Sequence, residues 1–149
     1  AWIWLPARSD VGHRDVTLLW ADLEIAGRTV YGEARGESYE GMKAVAHVLI
    51  NRWRKQVGDA DHTLAATAQR WRQFSTWNDD DRSRDDAEAA ELTDPYFRMA
   101  LRAVLEAFDE QDLTKGARHY HTTDIAPRWA QGRVPCLVLG NHMFYNDIV

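Results

Sequence analysis

The sequence contains little cysteine and no long apolar run. Its 149 residues include one cysteine, Cys136, which excludes an internal disulfide and a cysteine-based zinc finger. No apolar stretch approaches the roughly 18 residues that a bilayer span requires. Positive charge is also scarce: 18 Lys and Arg against 23 Asp and Glu give a formal net charge of −5. This balance argues against a nucleic-acid-binding domain and against a polybasic membrane binder.

Aromatic side chains, in contrast, are abundant, with seven Trp, five Tyr and four Phe. Large aromatic residues usually belong to a protein core. The flat faces of Trp can also stack on sugar rings, so both interpretations stay open. The aromatic candidates for the walls of a sugar-binding groove are Trp71, Phe74, Trp77 and Trp129.

Helical spacing of apolar residues occurs four times along the chain. It predicts helices from about 15 to 33, from 39 to about 55, from about 63 to 71, and from 95 to about 108. The charged segment 78–86 predicts a solvated loop, and short alternating segments after Gly116 predict loops and short strands. The expected fold is mainly α (α+β), a single domain with a short β segment. We expect residues 1–14 to be an N-terminal arm and residues 15–149 to be the domain.

Glu33 is a carboxylate at the end of an apolar stripe. The apolar face of the first predicted helix consists of Leu19, Leu23, Ala26 and Val30. Glu33 is the next residue on that face, so we expect partial desolvation to raise its pKa and to favour the protonated acid. A second carboxylate, Glu37, follows where Gly32 and Gly36 predict the end of the helix. From position alone, a solvated helix end explains these carboxylates equally well.

Three functions are compatible with these residues. Cleavage of a glycosidic bond needs a protonated acid beside the leaving oxygen, a role that Glu33 fits, with Glu37 as a possible second carboxylate. A zinc hydrolase would use His119, His121 and His142 as ligands. The His-x-His spacing is a weak signal, however, and hydrogen bonding within a folded aromatic cluster explains it more simply. A carbohydrate-binding module would explain the aromatic residues but not Glu33.

Five segments in order resemble the cell wall hydrolase family that includes the spore cortex-lytic enzymes of SleB type. They are TVYGEARGESYEGMKAVAHVLINR at 29–52, QFSTW at 73–77, HYH at 119–121, PRW at 127–129 and GNHMFY at 140–145. The resemblance implies a lysozyme-like fold related to lytic transglycosylases. It also implies cleavage of the bond between N-acetylmuramic acid and N-acetylglucosamine in peptidoglycan, by a muramidase or a lytic transglycosylase that needs no metal or other cofactor.

The resemblance also implies roles for individual residues. The essential glutamate of the family lies in the GEARGE segment, which places it at Glu33, and Glu37 is the competing assignment. Enzymes of this fold often use one glutamate first as acid and then as base, and the N-acetyl group or the 6-hydroxyl of the substrate as nucleophile. The segment from Gly140 to Tyr145 is expected to close the opposite wall of the cleft. The predicted substrate-binding residues are Gln73, Phe74, Ser75, Trp77, His119, Tyr120, His121, Trp129, His142 and Tyr145.

The expected setting is the bacterial cell wall, in the periplasm or outside the cell. The apolar start of the sequence is too short for the core of a secretion signal, so we expect export through a phage pore, delivery in a particle, or a removed leader. A phage-type endolysin fits this setting. The expected partner is the glycan strand of peptidoglycan, without nucleic acid or stable membrane insertion. The alternative function is a zinc-dependent peptidoglycan amidase or peptidase that uses the three histidines.

Overall fold

The computed structural model describes residues 2–5, 16–56, 62–70, 73–79 and 82–149. Helices dominate this part of the chain, and the predicted mainly α fold with a short β segment is confirmed. None of the described helices has the length and apolar character needed to cross a membrane. In chain order the elements are β1 (Trp2–Leu5), β2 (Val16–Leu19), α1 (Trp20–Ala34), α2 (Tyr39–Lys55), α3 (Leu64–Gln69), α4 (Ser83–Ala89), α5 (Pro95–Asp109), β3 (His119–Thr122), β4 (Leu137–Leu139) and β5 (His142–Tyr145).

The first helix begins later than the sequence predicts. Strand β2 occupies the start of the predicted helix and pairs antiparallel with β1, with Trp2 opposite Leu19. The apolar and β-branched residues of β2 suit a strand as well as a helix, and pairing with β1 decides between them. Leu19 therefore lies outside the buried stripe and is 39% exposed.

The hydrophobic core lies between α1, α2 and α5, which pack against one another. Helix α2 begins where predicted, because the Ser38 hydroxyl accepts a hydrogen bond from the Gly41 N–H at 3.2 Å. Helix α5 begins as predicted too, with the Asp94 carboxylate accepting from the Tyr96 N–H at 2.8 Å. The buried residues of the predicted stripes are Leu23, Ala26, Val30, Met42, Val45, Leu49, Phe97, Leu101, Val104 and Phe108.

The predicted third helix is shorter in the structure. Thr63 caps it by accepting a hydrogen bond from the Ala66 N–H at 3.0 Å, and α3 ends at Gln69. Trp71, a candidate for the groove wall, lies outside the described residues.

The prediction of a loop over 78–86 is wrong for its second half, which belongs to α4. Asp85 and Asp86 stand in the first turn of α4, where carboxylates interact favourably with the helix dipole. The C-terminal end of α4 is held by Arg28. One of its guanidinium nitrogens donates to the carbonyl oxygens of Ala87 and Ala90 at 2.8 and 2.9 Å. A long-range contact with α1 therefore stabilises a helix that local charge alone does not predict.

Strand β5 is the centre of an antiparallel sheet with the order β3–β5–β4. Tyr120 lies opposite Phe144, and His119 lies opposite Tyr145. Side chains alternate along a strand, so Tyr120 and Phe144 share one face while His119 and Tyr145 share the other. Phe144 is fully buried in the helical core. The face that carries Tyr120 is therefore the inner face of the sheet.

Candidate active site

A cleft of about 440 Å³ lies between the end of α1 and the three-stranded sheet. The end of α1 and the loop after it form one wall, and the residues after β3 together with the β4–β5 turn form the other. Both predicted glutamates lie in this cleft. Its lining residues are Glu33, Ala34, Gly36, Glu37, Thr122, Thr123, Asp124, Asn141 and His142.

Three donors hold the half-buried carboxylate of Glu33. Its Oε1 accepts hydrogen bonds from the Thr76 N–H at 2.8 Å and from the Ser75 hydroxyl at 3.1 Å. Its Oε2 accepts a hydrogen bond from the Tyr120 hydroxyl. Burial and the neighbouring Glu33 carboxylate raise the pKa of Tyr120 well above its usual range, so the phenol remains a donor. The Glu33 side chain is thereby fixed at the wall of the cleft.

The segment Ser75–Trp77 forms a short 3-10 turn that packs closely on α1. A Cβ atom on Gly32 would lie 2.4 Å from the Thr76 side chain, so glycine permits this approach. The Trp77 indole N–H donates to the Thr29 hydroxyl at 2.8 Å. These contacts bring Ser75 and Thr76 to Glu33 and occupy the polar group of the half-buried Trp77.

Phe74 supports the site from within the core and does not line the cleft. Its side chain is only 1% exposed, which corrects the prediction of a groove wall. The Arg52 guanidinium lies 4.5 Å from its ring and donates to the carbonyl oxygens of Gln73 and Arg118, each at 2.6 Å. Arg52 thus ties the exposed Gln73 and the entry to β3 to helix α2.

Glu37 joins the opposite walls of the cleft. Both of its carboxylate oxygens lie within hydrogen-bond distance of the Asn141 N–H, at 3.2 and 3.3 Å. A Cβ atom on Gly140 would lie 2.1 Å from Oε2, so only glycine fits beside the carboxylate. His142 Nδ1 lies 3.8 Å from Oε1. Burial lowers the pKa of His142, although the charges of Glu37 and Glu33 act in the opposite direction.

Four predicted cleft residues lie together on the outer face of the sheet instead. The rings of His121 and Tyr145 stack 5.4 Å apart, and the His121 Nε2 lies 3.0 Å from the Tyr145 hydroxyl. Trp129 packs against this pair and against His119. Because side chains alternate along β3, Tyr120 faces Glu33, whereas His119 and His121 face the opposite side of the sheet. These four residues form an aromatic cluster, as the simpler interpretation of the two histidines predicted. The structure does not bring the four residues to the cleft.

The same alternation separates the three histidines of the zinc alternative. His142 pairs with Thr122 on the inner face, whereas His119 and His121 lie on the outer face. One metal ion cannot reach ligands on both faces of a sheet. Among the described residues, no three His, Cys, Asp or Glu side chains are placed to hold a metal ion. The zinc-dependent alternative is not favoured.

The cleft also contains residues that were not among the predicted ones. Thr122 at the end of β3 lines it together with Thr123 and Asp124, which follow the strand, and Asn141 lines it from the β4–β5 turn. The polar run after the HYH segment was the available signal, since polar residues that follow a strand often reach a site. Of the predicted set, the structure gathers at the cleft Glu33, Glu37, Ser75, Tyr120 and His142.

Comparisons with known proteins point to one family. A family described as cell wall hydrolase matches residues 36–145. The spore cortex-lytic enzyme of Halalkalibacterium halodurans is 33% identical over 132 residues, which cover 84% of this chain and 34% of that protein. The spore cortex-lytic enzyme of Bacillus subtilis is 31% identical over 130 residues, covering 83% of this chain and 37% of that protein. The chain thus spans little more than a third of these relatives.

Two solved structures share the fold. The catalytic domain of the germination-specific lytic transglycosylase SleB from Bacillus anthracis is 30% identical, with a TM-score of 0.64. The match covers 85% of this chain and 94% of that one. The catalytic domain of the Bacillus cereus SleB protein is 27% identical, with a TM-score of 0.66 and coverage of 93% and 97%.

Proposed function

The chain belongs to the cell wall hydrolase family, and we propose that it cleaves the glycosidic bond between N-acetylmuramic acid and N-acetylglucosamine in peptidoglycan. Glu33 is the catalytic acid and base of this lytic transglycosylase or muramidase. Residues 15–149 form the catalytic domain and residues 1–14 an N-terminal arm. The solved SleB structures support the assignment of a catalytic domain, because each is a catalytic domain of which this chain covers 94% or more.

The hydrogen bonds that fix the Glu33 carboxylate are the main support for this proposal. Three donors on Ser75, Thr76 and Tyr120 fix both carboxyl oxygens at the wall of an open cleft. A carboxyl group in one fixed orientation can pass a proton to an oxygen atom of a bound sugar and accept one in the next step. Protonation of the leaving oxygen is what glycosidic cleavage requires from an enzyme.

The reaction proceeds in two steps with one carboxyl group. Glu33 first donates its proton to the glycosidic oxygen, the bond from that oxygen to C1 of the muramic sugar breaks, and C1 develops oxocarbenium character. The Glu33 carboxylate then takes a proton from the 6-hydroxyl of the same sugar, whose oxygen bonds to C1 and closes a 1,6-anhydro ring. If water replaces the 6-hydroxyl, the product carries a reducing end instead.

Geometry favours Glu33 over Glu37 as the acid. The family match over residues 36–145 includes Glu37 but not Glu33, so the choice of Glu33 rests on the contacts of the two side chains. Both oxygens of Glu37 face the Asn141 N–H, Gly140 packs against the carboxylate, and the side chain is only 11% exposed. Glu37 therefore acts as a positioning residue that holds the β4–β5 turn.

The setting of this activity is the bacterial cell wall, where the glycan strands of peptidoglycan are the partner. A phage-type endolysin and a bacterial wall-lytic enzyme both need this reaction. Access to the wall from the periplasm or from outside the cell is part of the proposal.

Mass spectrometry of muropeptides tests the proposal. Purified peptidoglycan is digested with the wild type, with Glu33→Gln, and with Glu91→Gln as a control at an exposed glutamate outside the cleft. We expect 1,6-anhydro or reducing muramic ends from the wild type and the control, and none from Glu33→Gln. EDTA should leave the products unchanged. Intact glycan chains with cut peptide stems would contradict the proposal.

A further inference from the structure

The turn between β4 and β5 presents Asn141 at the cleft in a fixed position. Gly140 has a φ of +56° and occupies the first central position of this two-residue hairpin turn, which favours glycine. The N–H of Asn141 donates to the Glu37 carboxylate at 3.2 Å. Its carbonyl oxygen accepts from the Thr123 N–H at 2.8 Å. Both backbone groups of Asn141 are thus hydrogen-bonded, so the backbone that carries its side chain is held in place.

The backbone gives no reason for asparagine at this position. Among the described non-glycine residues only Lys115 has a positive φ, so any L-residue can adopt the conformation of Asn141. Asparagine often stabilises a turn by bonding its side chain to local backbone. Within the described part of the chain, however, the exposed side-chain amide of Asn141 has no hydrogen-bond partner. The amide is therefore available to a ligand in the cleft.

The charged side chains of the cleft are carboxylates, and besides Asn141 the side chains there that can donate a hydrogen bond are Thr122, Thr123 and His142. Glu33, Glu37 and Asp124 line the cleft, and ionised carboxylates only accept hydrogen bonds. The 2-acetamido group of a peptidoglycan sugar carries a carbonyl oxygen, which needs a donor, and an N–H, which needs an acceptor. The Asn141 amide provides both within one planar group.

We infer that the side-chain amide of Asn141 recognises the 2-acetamido group of the sugar bound beside Glu33, so that the cleft selects N-acetylated glycan. This inference rests on the proposed glycosidase function and specifies how the same site chooses its substrate. Asn141 is then a specificity-determining residue, distinct from Glu33, which transfers protons, and from Glu37, which holds the turn.

Measuring each variant on two substrates tests the inference. One peptidoglycan preparation is divided, and half is N-deacetylated enzymatically. The values of kcat/KM on both halves are measured for the wild type, Asn141→Ala, Asn141→Asp and Asn146→Ala. Asn141→Asp keeps the size of the side chain but lacks the amide donor. Asn146→Ala is the matched control, because Asn146 is also exposed but lies outside the cleft, where its side chain donates to the Lys115 carbonyl oxygen at 3.1 Å.

We expect the wild type and Asn146→Ala to prefer the acetylated substrate. In Asn141→Ala this preference should fall by about threefold to tenfold, the range expected for a neutral hydrogen bond, and in Asn141→Asp it should fall further, because the new carboxylate also attracts the ammonium group of the deacetylated sugar. A variant that loses activity equally on both substrates, or keeps the full preference of the wild type, would overturn the inference and leave the proposed function intact. A wild type that cleaves no glycosidic bond in either substrate would overturn the proposed function, and the inference with it.

Discussion

The hydroxyl of Tyr120 donates a hydrogen bond to the Glu33 carboxylate, joining residues that are 87 positions apart in the sequence. Glu33 stands near the end of α1, and Tyr120 stands on the inner face of β3. This contact connects the helical part of the fold to the sheet at the atom that the proposed mechanism uses. Because burial and Glu33 raise the pKa of Tyr120, the phenol keeps its proton over the pH range in which the protein would act.

Replacing Tyr120 by Phe should lower kcat more than it changes KM. The substitution keeps the ring and its packing but removes a donor to a charged group, an interaction typically worth about 1.5–3 kcal/mol. We expect kcat to fall about tenfold to hundredfold, measured by steady-state release of muropeptides. Tyr96→Phe is the control, since Tyr96 is 51% exposed on α5. An unchanged kcat in Tyr120→Phe would show that the contact does not position Glu33.

Replacing Gly140 by Ala should reduce both stability and activity. The positive φ costs about 1–2 kcal/mol for an L-residue, and the new Cβ atom would also lie 2.1 Å from Glu37 Oε2. Gly132→Ala is a matched control, because Gly132 has a φ of +72° but no atom within 4 Å of an added Cβ. Urea unfolding should show a loss in both variants, larger in Gly140→Ala. Activity should fall only in Gly140→Ala, and equal activity in the two variants would contradict a role for the turn.

The sequence allowed the helices to be predicted where local signals suffice. The caps at Ser38 and Asp94 act within one turn of the helix, and α2 and α5 begin there. Helix α4 depends on Arg28, which is about 60 positions away along the chain. Such a long-range contact leaves no periodic pattern near the helix itself, and the segment was predicted to be a loop.

Glu33 was easier to identify as a candidate than the residues that contact it. Glu33 stood out because it continues an apolar helical stripe, and this is a local signal. The alternation of β3 predicted that His119 and His121 share a face, but nothing local shows which face of a strand meets the helices. The structure turns Tyr120 inward, so His119 and His121 fall outside the cleft.

Lowering the pH should destabilise the fold through its buried histidines. Burial lowers the pKa values of His47, His119 and His142, while an unfolded histidine has a pKa of about 6.5. The unfolded chain therefore binds more protons below that pH, and the free energy of unfolding falls as the pH drops from about 6.5 toward the lowered values. The nearby Asp112 and Glu37 carboxylates reduce this effect without reversing it.

Urea unfolding at pH 7.5, 6.5 and 5.5 measures this dependence. His47 is suited to the variant, because it is 2% exposed and lies on α2 away from the cleft. His47→Gln should show a weaker decrease in stability than the wild type between pH 6.5 and 5.5. A free energy of unfolding that stays constant over this range in the wild type would contradict the prediction.

Replacement by Gln should lower kcat to different extents at the two glutamates of the cleft. Gln at position 33 cannot donate or accept the transferred proton, so kcat should fall by about 10²–10⁴-fold, the usual contribution of general acid–base catalysis. Gln at position 37 keeps a carbonyl oxygen that can still accept from the Asn141 N–H. Glu37→Gln should therefore lower kcat only a few-fold. Initial rates of glycan cleavage for the two variants, compared at equal folded concentration, decide between the assignments. If Glu37→Gln abolished cleavage and Glu33→Gln preserved it, Glu37 would be the acid and Glu33 the residue that holds the cleft wall.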